Sequence, residues 1–141
     1  MATDIDAHEQ EVVDALNAYE DWLSIYSYLI DSTLFLERMT LEEASRAHHI
    51  KDCQSDTWML VELDGDGRLH IKADSEALIV KGLAGLLLRI FNGSTPEEAA
   101  SFQPTLAQRT MLSDELGATR LGGLSAMTRF ISDSARTLMT Q

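Results

Sequence analysis

A change in hydropathy period near the middle of the chain restricts the fold more than any other feature of the sequence. Residues 68–73 alternate between polar and apolar side chains, and residues 57–63 divide into two alternating sets that are rich in apolar residues. A period of two is typical of β-strands. The sequence Asp-Gly-Asp-Gly fills residues 64–67, and Asp-Gly pairs readily adopt the positive φ angles of a tight turn. The sequence therefore predicts an antiparallel β-hairpin with strands at 57–63 and 68–73.

Helical periodicity precedes the hairpin. Apolar residues spaced three and four apart predict a helix over residues 6–31. Nearby serine residues weaken its propensity, so a break anywhere from 17 to 21 is compatible with the pattern. Thr40 is followed three residues later by Glu43, and this capping-box spacing predicts a short helix over residues 41–47.

A largely buried helix is predicted directly after the hairpin. Asp74 and Ser75 offer caps for it, and its apolar positions cover more than one face. The Asn-Gly pair at residues 92–93 supplies a left-handed stop. Gly82 and Gly85 in its interior each lower helix propensity by about 1 kcal/mol relative to alanine. We therefore expect another backbone, that of the hairpin, to approach this helix closely.

Three further helical segments follow. A threonine and a proline at residues 95–96 begin a helix that the Gln-Pro pair at residues 103–104 ends. A short helical segment is predicted over residues 106–111. Thr119 is a candidate cap for the last helix, over residues 120–138, whose apolar positions keep helical spacing to the end.

The order of these elements predicts one α+β domain over residues 1–141. A two-stranded hairpin alone is only marginally stable, so we expect helices to pack on one face of a small antiparallel sheet. No repeat, low-complexity tract or linker divides the chain.

An excess of acidic residues limits the partners of the chain. The formal net charge of −12, from 23 acidic and 11 basic residues, opposes attraction to nucleic acid phosphates and anionic lipids. We expect neither nucleic acid nor a membrane as a partner, and the charge indicates either a well-solvated surface or a partner with a basic docking face. Residues 1–6 are acidic without the apolar segment of a secretory signal, so we expect a cytoplasmic, reducing location.

Cys53 is the one cysteine of the chain, and it lies between a predicted helix and a predicted strand. We therefore expect it at the tip of a loop. A lone cysteine cannot close an internal disulfide, and by itself it supplies neither a structural zinc site nor an iron–sulfur cluster. It is either a buried inert side chain or a single nucleophile and sulfur carrier. The adjacent His48 and His49 point to opposite sides of an extended segment, so we expect no metal site there.

Three segments of the sequence carry a resemblance when they are taken together. They are Cys53-Gln54-Ser55-x-x-Trp58, Asp74-Ser75-Glu76-Ala77-x-Ile79-Val80-Lys81-Gly82-Leu83 and Thr119-Arg120-x-x-Gly123-Leu124-x-Ala126-Met127. In that order and at that spacing they resemble the SufE family of sulfur acceptors. Trp22, Tyr26 and Ile30 are similar to the family's amino-terminal helix, so the resemblance spans about residues 20–130.

The resemblance implies a SufE/IscU-like fold and a role in sulfur transfer. Members of the family take sulfane sulfur from the persulfide of a pyridoxal-phosphate-dependent cysteine desulfurase, stimulate that enzyme, and pass the sulfur to an iron–sulfur cluster assembly scaffold. Carried over by position, Cys53 is the persulfide acceptor, Gln54 and Ser55 belong to its loop, and Arg120 matches the family's arginine at the start of the last helix.

The resemblance also implies which partners and cofactors to expect. The partners are a cysteine desulfurase and an iron–sulfur scaffold complex. The sequence leaves open whether the chain also pairs weakly with itself. No cofactor is expected on this chain, since pyridoxal phosphate belongs to the desulfurase. The alternative is a binding module that only activates the desulfurase while Cys53 carries nothing.

Charged residues near the cysteine lead to further expectations. The family usually has glycine where this chain has Asp52, and a carboxylate there disfavours a neighbouring thiolate and stiffens the loop. Lys51 together with His49 or Arg120 would supply positive charge near the thiol.

The remaining residues of the motifs support the site. A persulfide needs protection from water and stray thiols, so we expect an apolar shelter near Trp58 and Leu83. Asp74 is interpreted as a helix cap. Lys81 lies in a mostly apolar helix and is interpreted as a long side chain that reaches solvent.

Overall fold

Three antiparallel strands form the scaffold of the fold. The structure, a computed structural model, describes residues 4–140. The strands are β1 (His48–His49), β2 (Thr57–Leu63) and β3 (Leu69–Ser75), and β2 lies between the other two. The predicted hairpin is confirmed, with Leu63 opposite Leu69 and with Gly67 at a φ of +76° in the turn.

The short strand β1 is absent from the sequence prediction, because two residues are too few to show a period. His48 pairs with Met59, and His49 pairs with Trp58. The pairing fixes the point at which the chain leaves the sheet before Cys53.

Seven α-helices lie within residues 4–140. They are α1 (Asp4–Asn17), α2 (Trp22–Asp31), α3 (Leu41–Arg46), α4 (Leu78–Phe91), α5 (Pro96–Ser101), α6 (Leu112–Glu115) and α7 (Gly117–Met139), and a 3₁₀ turn (Ser32–Phe35) follows α2. Within that part of the chain, no helix has both the length and the hydropathy needed to cross a membrane.

The helix predicted over residues 6–31 is two helices, with the break between α1 and α2. Asp21 starts the second helix, because its carboxylate accepts a hydrogen bond from Ser24 N at 2.8 Å. The break lies in the region where the sequence pattern permits one.

Three predicted helix ends are confirmed. Thr40 and Thr95 each form a complete capping box, in which the glutamate three residues later accepts a hydrogen bond from the backbone N–H of the cap residue. Gly93 has a φ of +82° just after α4, as the left-handed stop requires.

Two predictions near the carboxyl terminus are wrong. Residues 106–111 form turns rather than a helix, and the next helix begins at Leu112. Thr110 contributes to this, since its hydroxyl donates to Leu106 O at 2.8 Å and accepts from Leu112 N at 3.2 Å. Thr119 does not cap the last helix, because α7 already begins at Gly117.

Asp74 and Ser75 are not helix caps, which corrects the sequence interpretation. Both residues belong to β3, where Asp74 pairs with Trp58 and Ser75 with Thr57. Strand pairing thus continues two residues beyond the predicted end, and α4 begins only at Leu78, with Ala77 at the N-cap position. Ser75 still contributes one contact at the helix start, since its Oγ accepts from Ala77 N at 3.3 Å.

Helix α4 forms the centre of the core, and its glycines lie against other backbones, as predicted. A Cβ on Gly82 would collide with the carbonyl oxygen of Leu29, and a Cβ on Gly85 would collide with that of Ser32. The neighbouring backbone is therefore that of α2 and the turn after it, and the expectation that it would be the hairpin is wrong.

The expectation that all helices pack on one face of the sheet is also wrong for α3. Leu69, Ile71 and Ala73 of β3 are buried on the side of α4. Lys72 lies on the opposite side and reaches α3, where its Nζ is 2.7 Å from Glu43 Oε2. Ion pairs therefore attach α3 to a sheet face that apolar packing alone does not cover.

Substitution of Gly82 by alanine should destabilise the fold strongly, because the clashing atom belongs to a helix backbone that cannot rotate away. We expect Gly82→Ala to lower the free energy of unfolding by about 3 kcal/mol or more in urea denaturation. Gly122→Ala in α7 is the control, since nothing lies within 4 Å of its Cβ, and it should raise stability by up to about 1 kcal/mol. Equal effects of the two variants would contradict the close approach of α4 to α2.

The attachment of α3 should weaken in acid. The Lys72 ammonium, followed by the Thr40 backbone amide, lowers the pKa of Glu43 from 4.5 to about 2. Because this pKa is lowered on folding, the stabilisation is complete above pH 4.5 and is lost as the pH falls towards 2.

We therefore expect Glu43→Gln to be less stable than the wild type at pH 7 and the difference to shrink steadily below pH 4.5. Urea denaturation at several pH values measures this, with Glu11→Gln on the exposed face of α1 as the matched control. A difference that stays constant down to pH 3 would exclude ionised Glu43 as its source.

Candidate functional site

Cys53 lies on a loop, as predicted, and this loop joins β1 to β2 rather than a helix to a strand. This loop, residues 50–56, is closed at its base by a hydrogen bond from Ile50 N to Thr57 O at 2.8 Å. His49 Nε2 is 3.0 Å from Asp56 Oδ1, and Glu76 N donates to Asp56 O at 3.0 Å. The loop is therefore attached to the sheet at both ends.

The side chain of Cys53 points into the protein. Only 8% of the residue is exposed, and Sγ lies 3.3 Å from Thr57 Oγ1. Another side of the thiol rests on α7 at Gly123, where a Cβ would lie only 3.1 Å from Sγ. Any larger residue at that position would push the thiol away.

An open cleft of about 520 Å³ lies in front of the thiol. Its walls come from α2, the loop, the start of α4 and the start of α7, and its lining residues are Tyr26, Cys53, Gln54, Ser55, Ala77, Leu78, Ile79, Val80, Leu116, Gly117, Ala118, Thr119, Arg120 and Gly123. Most of them are apolar or small, and Arg120 adds a positive charge. The fold thus brings together four predicted site residues, Cys53, Gln54, Ser55 and Arg120.

The apolar shelter expected near Trp58 and Leu83 is formed by other residues. Tyr26 and the start of α4, residues 77–80, line the cleft instead. Side chains alternate along a strand, so Trp58 faces away from the side of β2 on which Thr57 touches the thiol. Leu83 is fully buried in the core.

Trp58, Asp74 and Lys81 form a separate cluster. They line a second pocket, of about 450 Å³, that lies against α3 and the loop before it. Asp74 Oδ1 is 3.3 Å from Lys81 Nζ, and Asp74 lies opposite Trp58 in the β2–β3 register. Three predicted site residues therefore lie close together but outside the cleft of Cys53.

Asp52 lies neither in the cleft of Cys53 nor in the cluster around Trp58, because its carboxylate points towards α7. Its Oδ2 is 3.3 Å from Arg129 Nη2, and the two side chains are 76% and 61% exposed. Arg129 thus offsets the negative charge that the sequence places beside the thiol. An exposed pair of this kind contributes only about 0–1 kcal/mol, so other contacts must hold the loop closed.

The positive charges expected around the thiol are distributed differently. Arg120 shares the cleft with Cys53. Lys51 lies with Asp52 and Arg129 on the other side of the loop, and His49 is bound to Asp56. Arg120 is thus the predicted cation that the fold places in front of the sulfur.

The two histidines of β1 make structural contacts. The ring of His48 stacks on Phe130 of α7 with centroids 4.7 Å apart, and the ring of His49 lies 5.6 Å from that of Trp58. In the part of the chain that the structure describes, no three His, Cys, Asp or Glu side chains gather in a way that could hold a metal ion.

Thr57, Ser75, Gly123 and Arg129 each contact Cys53 or its surroundings, although no site role was expected for them. Ser75 and Gly123 each lie within one of the family-like segments, which is the only signal that marks them. The contacts of Thr57 and Arg129 depend on strand register and on how α7 crosses the loop, and neither leaves a local pattern in the sequence.

Comparisons with known proteins agree with this architecture. The model of the SufE family, described as an Fe-S metabolism associated domain, matches residues 10–135. A solution structure of a hypothetical protein from Thermus thermophilus is similar with a TM-score of 0.82 and 18% sequence identity, and the match covers 95% of this chain and 97% of that chain. At this identity the similarity shows the fold, which is α+β as predicted.

Gly123→Ala should make the thiol more accessible, whereas Gly122→Ala should not. The new Cβ at position 123 forces Sγ to move by a few tenths of an ångström, while a Cβ at position 122 meets nothing within 4 Å. Both changes give the same gain in helix propensity. We expect iodoacetamide to alkylate Cys53 several-fold faster in Gly123→Ala than in Gly122→Ala, and equal rates would show that the thiol does not rest on α7.

Proposed function

The chain belongs to the SufE family, whose domain is associated with Fe–S metabolism, and from this premise we propose that it is a sulfur acceptor and carrier. In this proposal Cys53 receives sulfur from the persulfide of a cysteine desulfurase, the complex stimulates that enzyme, and the sulfur passes to an iron–sulfur cluster assembly scaffold. The observation that carries the proposal is the position of Cys53, buried on a tethered loop at the wall of an open cleft that also contains Arg120.

The transfer step is an exchange between sulfur atoms and requires no separate oxidant or reductant. The thiolate of Cys53 attacks the outer sulfur of the donor persulfide, and a bond forms between Sγ and that sulfur. The sulfur–sulfur bond of the donor breaks, and the donor cysteine leaves as a thiolate. Cys53 then carries a persulfide, and the total charge is unchanged.

The acceptor must leave its buried position for this step. Because only 8% of Cys53 is exposed, we infer that a donor cysteine reaches Sγ along the line of attack only after the loop opens. Opening separates Sγ from Gly123 and from Thr57, and it exposes Ile50, of which only 4% is accessible. Because burial of an apolar side chain contributes about 1.5–3 kcal/mol, Ile50 opposes opening more than the exposed ion pair of Asp52 does.

The closed loop fits the other requirement on a carrier, which is protection of the persulfide. The cleft is lined by Tyr26 and the apolar start of α4, and its free space allows an added sulfur beside Cys53. Water and small thiols then reach the outer sulfur less readily than they would on an exposed loop. We infer that the loaded loop closes again after transfer.

Arg120 has two uses in this proposal. Arg120 lines the cleft of Cys53, where a positive charge would stabilise the attacking thiolate. It is also exposed and offers a bidentate donor to a carboxylate of the docked desulfurase. Gln54 and Ser55 move with the loop, since they flank the thiol on its carboxyl-terminal side.

The cluster of Trp58, Asp74 and Lys81 supports the base of the loop rather than the sulfur itself. Trp58 and Asp74 are opposite each other at the end of the hairpin from which the loop departs. The contact between Asp74 and Lys81 joins that end to α4. We propose that this cluster fixes the anchor on which the loop opens.

Intact mass measurement tests the carrier function. The protein is incubated with a cysteine desulfurase, pyridoxal phosphate and cysteine, and a parallel sample contains Cys53→Ser. We expect the wild type to gain the mass of at least one sulfur atom, and we expect the gain to be lost in the variant and after treatment with a reductant.

The same experiment separates the carrier from a module that only activates the desulfurase. If both proteins stimulate alanine release by the desulfurase equally and neither gains mass, Cys53 carries nothing and the carrier proposal is rejected. If the wild type gains sulfur and Cys53→Ser stimulates less, the acceptor thiol takes part in the turnover.

A further inference from the structure

Thr57 lies at the centre of three polar contacts beneath the loop of Cys53. The residue is fully buried, and its Oγ1 donates to Ser55 O at 3.0 Å. The same oxygen lies 3.3 Å from Cys53 Sγ and 2.9 Å from Ser75 Oγ. A line of hydrogen-bonding groups thus runs from the thiol through Thr57 to Ser75, which accepts from Ala77 N at 3.3 Å.

The number of protons fixes the direction of these hydrogen bonds. A hydroxyl has one proton to donate and two lone pairs that accept. The carbonyl of Ser55 can only accept, so it takes the proton of Thr57. Thr57 must therefore accept from both Ser75 and Cys53, which makes Cys53 an S–H donor. The closed arrangement fits a neutral thiol.

The thiolate requires a different arrangement of the same atoms. A thiolate only accepts hydrogen bonds, so Thr57 has to turn its proton from Ser55 O to Sγ. This needs only rotation of the hydroxyl hydrogen, because Ser55 O and Cys53 Sγ both already lie within hydrogen-bonding distance of Thr57 Oγ1. Ser75 continues to donate to Thr57. A hydrogen bond to a charged acceptor is stronger than one between neutral groups, so Thr57 stabilises the thiolate more than the thiol.

We propose that Thr57 is a positioning residue that sets the protonation of Cys53 through this hydroxyl switch. As a neutral thiol, Cys53 is held in the closed loop by donating to Thr57. After losing its proton, Cys53 is held there by accepting a hydrogen bond from Thr57, and the hydrogen bond from Thr57 to Ser55 O is broken. The use of the switch in sulfur transfer rests on the proposed function, whereas the switch itself is a property of the isolated protein.

Other titratable groups lie around the thiol, but none of them touches Thr57 Oγ1. Tyr26 of α2 and Arg120 of α7 line the cleft of Cys53, whereas Lys51, Asp52 and Asp56 belong to the loop itself. Asp52 is bound to Arg129, and Asp56 is bound to His49. A substitution of Thr57 leaves all of these charges in place, so its effect can be assigned to the hydroxyl.

Two variants isolate the hydroxyl group. Thr57→Val removes it at nearly constant volume, and Thr57→Ser keeps it. The rate of iodoacetamide alkylation of Cys53 is measured from pH 6 to pH 10 on each folded protein. We expect the midpoint of the pH profile to rise by about one pH unit in Thr57→Val, which corresponds to about a tenfold smaller thiolate fraction near neutral pH. Thr57→Ser should keep a midpoint close to that of the wild type.

The midpoint distinguishes the switch from a merely structural role of Thr57. A loosened loop would raise the limiting rate at high pH and leave the midpoint where it is. An unchanged midpoint in Thr57→Val, or an equal shift in Thr57→Ser, would overturn the proposal. If Thr57→Val does not fold, Thr57→Ala is the second variant without the hydroxyl and should shift the midpoint in the same direction.

The experiment remains informative if the proposed function fails. A shifted midpoint without any sulfur adduct on the wild type would retain the switch and reject the acceptor role. A sulfur adduct on the wild type together with an unchanged midpoint in Thr57→Val would retain the acceptor role and reject the switch.

Discussion

The close contact of α4 with the backbones of α2 and the turn after it is the constraint on which the rest of the structure depends. Gly82 and Gly85 allow it, because a Cβ at either position would overlap a carbonyl oxygen. In this position α4 packs on β3, and its first residues line the cleft of Cys53. The same contact positions α2 opposite the first residues of α4 and thereby places Tyr26 in the wall of the cleft. A contact between helices that does not include the thiol therefore positions two of the walls of the cleft before Cys53.

In the proposed function, protection and reactivity place opposite requirements on Cys53, and contacts of two kinds hold its loop closed. The exposed ion pair of Asp52 and the contact of His49 with Asp56 contribute little to closure, because water screens them. The buried contact of Sγ with Gly123 depends on close packing, and its contact with Thr57 depends on the position of a single proton. A docked partner that replaces these short-range contacts and covers the side chain of Ile50 would release the loop.

Much of the secondary structure could be predicted because its signals are local. The hairpin, the capping boxes at Thr40 and Thr95, and the stop at Gly93 each depend on residues within a few positions of one another. The predictions that failed concern competition between elements. Asp74 and Ser75 resemble helix caps, but pairing with Trp58 and Thr57 of β2 keeps them in a strand, and those partners lie outside the few residues that a capping pattern covers.

The sequence by itself determined that the chain has one thiol, that this thiol lies on a loop before a hairpin, and that the ordered motifs around it are those of the SufE family. Only the tertiary structure decided that the thiol is buried, that it rests on Gly123 and Thr57, and that Asp52 is bound to Arg129. The physical reason is that periodicity and capping act over a few residues. The environment of a side chain is instead set by segments that only the packing of α2, α4 and α7 brings together.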